Sequence, residues 1–398
     1  MSNILAGKRI VIVLNSLELG GAERQAILFA RSLIRDYNAN ADVVGFGTPG
    51  RARELCEEYG IPWHIIPGSL RHPAKRRLKK LLTCAALTDY ITQLRTIRSF
   101  TAAMHELQPD IIMPYTMHPN VICGLTWRAA GAEACIWNQR DEGRERLDRA
   151  FEKKAVVQTP WFMSLSQFGA DFLIDTLGVL QDKIRVIYNG VELTQPELSR
   201  DEWRKRLCIS NDCFAACMVA NLHGFKDHKT LIKAWAKIVA VLGQQAVLIL
   251  AGRDDGMGNE LKTLADELGI SDNIRFLGAV KDISGLLMAC DLGVHSSPTE
   301  GLCSAVLEAM ASGKPVVATD IPPIREAVGP DGYIYLAPPH NAEALADKII
   351  SLAQSAKLRN DMGEKNLKRT REKFSIDRMC SETAEYVSYA LEQAYRNR

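Results

Sequence analysis

The sequence predicts an α/β protein made of two Rossmann-like, doubly wound domains facing each other across a cleft. Three observations predict it. Short β-branched runs alternate with longer amphipathic stretches, which requires parallel sheets with right-handed helical crossovers. The alternation breaks once, in a polar stretch over 192–212 that holds Pro196 and many charges. A chain of 398 residues is too long for one ordinary core and suits two.

In chain order, strands are expected at 9–14, 42–45, 63–66, 111–113, 134–137, 162–165 and 184–187. After the break they resume at 215–220, 246–251, 274–277, 292–295 and 315–318. Helical patterns stand between them, for example over 22–34, 229–242 and 302–311. The expected domains are 1–191 and 192–374, with 375–398 forming a terminal helix that packs back toward the first. A cleft between two such domains is where ligands bind.

Composition excludes several classes. Hydrophobic residues at 47% and charged residues at 24% describe a globular chain rather than a disordered one. A net charge of +2 excludes a general polyanion binder, so nucleic acid is not an expected partner. The 10 cysteines are scattered without a Cys-x-x-Cys pair, which removes the usual zinc and thiol-redox patterns. Several lie in apolar runs, as buried free thiols do, and a reducing cytoplasm is expected. Lys8-Arg9 precede only a short apolar run over 10–14, so neither a secretory signal nor a membrane span is expected.

Three motifs carry chemistry. Gly20-Gly21, between the first strand and its helix, allow close backbone approach to an anion at a helix N-terminus. The spacing is not Gly-x-Gly-x-x-Gly, so a dinucleotide site loses its support, and a plain tight turn fits the pair as well. The second motif runs from Ser297 through Glu300-Gly301-Leu302-Cys303-Ser304 to Glu308 and Gly313. Glu308 is a carboxylate in an otherwise apolar helix and needs a partner. Ribose hydroxyls would supply one, as would a nearby backbone group or cation. The third is Asn221-Leu222-His223-Gly224-Phe225-Lys226, whose lysine either reaches a diphosphate or is a solvated loop charge.

Taken together and in order, these motifs resemble the family-4 glycosyltransferases of the GT-B fold. The resemblance is strongest over 184–330 and extends through Asn189-Gly190-Val191, Ala251-Gly252, Phe276-Leu277-Gly278, Ala289-Cys290-Asp291 and Pro315-Val316-Val317. Glu300 and Glu308 look like the family's Glu-x7-Glu pair, and Gly20-Gly21 like its N-terminal glycine loop. The resemblance implies roles. Glu308 binds the donor ribose and Glu300 contacts hydroxyls of the transferred sugar. Amides from Gly301 to Ser304, with Gly20 or Gly21 across the cleft, hold the diphosphate. Lys226 neutralises the leaving phosphate, and backbone near Arg275 and Phe276 meets the base. The expected activity is retaining transfer of a sugar from a nucleotide-sugar donor, UDP by default, to a glycan or lipid-linked acceptor.

One position departs from the pattern: Asn221 stands where the family usually has Arg, with Arg253 or Arg140 as the compensating cation. In the first domain the family's active-site His falls on Tyr115 or, with one inserted residue, on His118; the latter is preferred because imidazole can hydrogen-bond a sugar hydroxyl. Arg140, in the loop over 138–144, is an acceptor-side candidate beside Tyr115. No Asp-x-Asp occurs, so no cofactor or metal is expected, and helix amides with a lysine are left to stabilise the leaving group.

Six of the ten residues over 71–80 are Lys or Arg, and leucines at 78, 81 and 82 supply an apolar side. This stretch reads either as a solvated helix face or as a surface for anionic lipid, which would place the protein peripherally on the inner face of the cytoplasmic membrane. A nucleotide-sugar epimerase and a catalytically silent nucleotide-sugar binder are the competing readings. The first needs no acceptor surface; Asn221 is the one hint of the second.

Overall fold

A computed structural model of the chain describes residues 4–67, 82–141, 143, 146, 149–192 and 195–396, with the backbone course alone for 82–94. The basic stretch over 71–82 lies outside these residues except for Leu82, which begins a helix. The chain divides into two compact units, Met1–Tyr188 with Asp377–Arg398, and Asn189–Ile376.

The first unit holds a parallel sheet of β1 (Arg9–Val13), β2 (Asn40–Phe46), β3 (Trp63–Ile66), β4 (Ile111–Pro114), β5 (Ala134–Gln139), β6 (Trp161–Ser164) and β7 (Ile184–Val186). Their order is β3-β2-β1-β4-β5-β6-β7. The second unit holds β8 (Phe214–Val219), β9 (Ala246–Ala251), β10 (Ile274–Gly278), β11 (Leu292–His295), β12 (Val316–Thr319) and β13 (Leu336–Ala337). These run β10-β9-β8-β11-β12-β13, again all parallel. Numbered within its own unit, each sheet begins 3-2-1-4-5-6, the Rossmann order.

Burial explains why these segments are strands. Parallel sheets covered on both faces demand near-continuous apolar runs. Ala246–Ala251 is buried at every position, and so are Ile10, Val11, Ile12 and Val13 of β1. The flanking helices bury one stripe each. The helix Gly21–Tyr37 buries Ala26, Phe29, Ala30 and Leu33. The last helix, Ile376–Arg396, belongs to the first unit and buries Cys380, Ala384, Val387 and Leu391. Its Tyr386 hydroxyl reaches the carbonyl oxygens of Phe162 at 3.0 Å and Lys183 at 3.1 Å.

Every strand expected from the sequence is present, none displaced by more than two residues at either end. The two-residue β13 is additional; it is too short to leave a periodic signal. The helix expected from 302 begins at Ser304, because Cys303 adopts an extended conformation (φ −66°, ψ 102°) as its N-cap.

Gly252 fixes the entry to the loop after β9. A Cβ there would lie 2.0 Å from the carbonyl oxygen of Ala220 and 2.7 Å from the amide nitrogen of Asn221. Gly252→Ala is therefore expected to lower stability by about 1–3 kcal/mol through forced backbone displacement. Gly224→Ala, where a Cβ meets nothing within 4 Å, is the matched control and is expected to leave the urea midpoint in place.

Candidate functional site

In a Rossmann-type sheet the strand order reverses between the first and fourth strands, and ligands bind beyond the carboxyl ends of the strands at that point. In the second unit the reversal lies between β8 and β11. The loop after β8 carries Asn221 and Lys226; the loop after β11 carries Glu300 and Gly301.

Two serines bind these loops together. Ser296 Oγ lies 3.1 Å from the carbonyl oxygen of Lys226 and 3.0 Å from that of Asp227. Ser297 Oγ lies 3.0 Å from the carbonyl oxygen of Phe225. Asp227 takes a left-handed backbone (φ 46°), and its carboxylate caps the helix His228–Leu242 at the Thr230 amide. The outcome is a fixed position for Lys226, whose Nζ donates to Glu300 Oε1 at 2.5 Å.

A third group, which the sequence reading did not single out, completes the cluster. His295, the last residue of β11, is 2% exposed and places Nε2 2.8 Å from the same Glu300 Oε1. Burial alone would depress the His295 imidazole, but the Cys303 sulfur and the Glu300 carboxylate outweigh it and push its pKa up to about 9. Burial likewise opposes ionisation of Glu300, and His295 with Lys226 reverses that, holding the carboxylate well below its usual range. Lys226 and His295 thus both approach one oxygen of the Glu300 carboxylate. Neighbouring His228 is buried and driven down to about 4, by burial first and then by His295 and Lys226, so it stays neutral.

Above this cluster the helix Ser304–Ala311 presents its N-terminus, and no side chain caps it. Its first amides are therefore donors without an intrahelical partner. Gly301, Leu302 and Cys303 are buried in the approach, whereas Ser304, Ala305 and Glu308 are half-buried along one stripe. Glu308 thus stands one turn beyond Ser304 on the accessible face.

Asn221 is wired to its neighbours. Its Oδ1 accepts from the Arg253 amide at 3.1 Å and its Nδ2 donates to Asp255 at 3.1 Å. The Arg253 guanidinium engages Asp255 at 2.6 and 3.3 Å, and this pairing lowers the Asp255 pKa. Arg275 directs its guanidinium at the carbonyl oxygens of Asp272 (2.7 Å) and Leu207 (3.2 Å); Phe276 is half-buried beneath Lys262.

The remaining candidates belong to the first unit. Gly20 and Gly21 are exposed at the start of their helix, and Glu23 folds back to accept from the Gly20 amide. Tyr115, 2% exposed, directly follows β4 with the Arg140 guanidinium 5.1 Å from its ring centre; burial raises its pKa to about 12. His118 is 6% exposed in the helix Met117–Thr126. Between them Thr116 holds φ 71° and ψ 167°, a region that is nearly glycine-only and costs on the order of 1–3 kcal/mol.

Among the described residues, His295, Glu300 and Cys303 place ligating atoms within 4.8 Å of one another. Lys226 already supplies positive charge at the Glu300 oxygen, which disfavours a dication there. No helix of the described residues is long and apolar enough to cross a membrane.

The two buried histidines are expected to pull stability in opposite directions. A group whose pKa falls from 6.5 to about 4 on folding, as for His228, lets stability decline as pH drops through that window. A group raised from 6.5 to about 9, as for His295, contributes stability that is complete below 6.5 and fades toward pH 9. In urea midpoints recorded across this range, His228→Asn should flatten the acid limb and His295→Gln the alkaline limb.

Comparisons with known proteins agree with this geometry. The family model described as Glycosyl transferases group 1 matches residues 199–369, and that described as Glycosyltransferase Family 4 matches residues 19–195. The N-acetyl-alpha-D-glucosaminyl L-malate synthase of Bacillus anthracis is 28% identical over 204 residues, 50% of this chain and 52% of that protein. The D-inositol 3-phosphate glycosyltransferase of Saccharomonospora viridis is 28% identical over 218 residues, 52% of this chain and 51% of that one. The chain spans about half the length of the curated relatives it matches. Among solved structures, Anabaena Alr3699/HepE in complex with UDP-glucose superposes with a TM-score of 0.79 at 24% identity, covering 96% of this chain and 99% of that one. A glycosyltransferase from Rickettsia africae gives a TM-score of 0.78 at 19% identity, covering 98% and 100%. With the glutamate pair, the lysine turn and the uncapped helix in place on two Rossmann-order sheets, the chain belongs to the family-4 glycosyltransferases of the GT-B fold.

Proposed function

We propose that the protein is a retaining glycosyltransferase that moves a sugar from a UDP-sugar to a hydroxyl of a glycan or lipid-linked acceptor without a metal ion. The observation that carries this reading is the pairing of Lys226 with Glu300 at the β8/β11 reversal, beneath the uncapped helix start at Ser304. The relatives named above are sugar transferases, and the Anabaena protein was solved with UDP and with UDP-glucose, which supports a uridine donor.

The donor diphosphate lies against the amides from Gly301 to Ser304, with Lys226 Nζ compensating the charge that builds on the leaving phosphate. Glu300 accepts from hydroxyls of the transferred sugar and Glu308 from the ribose. The bond from the anomeric carbon to the β-phosphate oxygen breaks, and a bond from that carbon to the acceptor oxygen forms on the same face. The acceptor proton passes to the departing phosphate oxygen. In the first unit, His118 hydrogen-bonds a sugar hydroxyl near the reacting carbon, and Tyr115 and Arg140 are the acceptor-side residues. The basic stretch over 71–82 draws the protein to anionic lipid on the cytoplasmic side.

A thermal-shift panel of nucleotide sugars tests the donor assignment, since a true donor raises the melting temperature by mass action. Glu308→Ala is expected to abolish the shift given by the best UDP-sugar, and an unchanged shift would remove the ribose role. Lys226→Ala is expected to lower kcat by about two to three orders of magnitude. EDTA is expected to leave turnover unchanged, and a loss restored by Mg2+ would overturn the metal-free route.

A further inference from the structure

The reaction assigned above uses Lys226, Glu300 and Glu308 but leaves His295 without a task. A histidine ending a strand whose other members are Leu292, Gly293 and Val294, and which is buried throughout, stands where an apolar side chain would pack at lower cost. It is no ordinary satisfied core residue of the backbone network, because its imidazole is aimed at Glu300.

We propose that His295 is a positioning residue for the transferred sugar: it holds Glu300 by Oε1 so that Oε2 stays directed at the sugar hydroxyls when the donor diphosphate claims Lys226. The inference rests on the donor reading above. Both cations converge on Oε1, Lys226 at 2.5 Å and His295 at 2.8 Å. Two donors on one oxygen leave the other oxygen of the carboxylate as the acceptor for substrate. Lys226 is the donor that a diphosphate can draw away, since its side chain is 26% exposed against 2% for His295. When it turns to phosphate, the buried imidazole is the group that still restrains the carboxylate. Cys303, whose sulfur lies within 4.8 Å of the ligating atoms of His295 and Glu300, and His228 on the adjacent helix complete the setting of charged and titratable neighbours.

A role confined to packing would lower stability and weaken every ligand alike. A positioning role separates the sugar from the nucleotide, and titration calorimetry with UDP and with UDP-glucose reads that separation. His295→Leu is expected to weaken UDP-glucose by about tenfold while UDP stays within about twofold. His295→Asn, polar but too short to reach Oε1, is expected to match it and stands in if the leucine variant does not fold. His295→Gln, whose amide reaches Oε1, is expected to restore most of the affinity for UDP-glucose. Losses that fall equally on both probes, no loss for either, or a glutamine variant as weak as leucine would each overturn the positioning role. Wild-type protein that binds neither probe would instead defeat the donor reading beneath it.

Discussion

A carboxylate buried to 7% exposure is tolerable only when its charge is answered, and Glu300 is answered twice at one oxygen. Much of the second unit is organised around making that possible. The β8/β11 reversal brings two loops to one edge of the sheet, Ser296 and Ser297 lock the lysine turn against the strand end, and Asp227 both turns the backbone and starts the next helix. Removing any of these would loosen Lys226 and leave His295 as the fixed partner of Glu300.

The first unit uses the same strand order for a different local chemistry. Its reversal gathers a glycine pair, a buried tyrosine and a guanidinium rather than a lysine–glutamate pair. Where the second unit satisfies its helix start with nothing, the first folds Glu23 back onto the Gly20 amide. Identical topology thus delivers two unlike ends, and the difference lies wholly in the loop residues.

The strands were legible because parallel sheets leave long apolar runs bounded by polar turns; Ala246–Ala251 and Trp63–Ile66 were readable to the residue. Lys226, Glu300 and the glycine-rich turns were readable because they stand in loops, and Glu308 because it is a lone carboxylate in an otherwise apolar helix. His295 was hidden for the opposite reason. It sits inside a strand pattern, and one polar residue among apolar neighbours gives no sign of which side chain it will meet five residues on. The strain at Thr116 was equally invisible, since a threonine before a helix reads as an ordinary cap until its backbone angles are known. Arg275 shows the converse: its position in a strand was evident, but the capture of its guanidinium by Leu207, 68 residues away, depends on packing between distant segments.

Under the proposed function, the ion pair between Lys226 and Glu300 also works as a latch that opens only to a two-part key. An incoming phosphate that takes the lysine strips the glutamate of one partner, and a simple inorganic anion offers nothing in return. A phosphate carrying a polyhydroxylated ring compensates both sides of the exchange at once. On that proposal, selectivity for intact donor over stray anions would be set in the resting protein, before any substrate arrives.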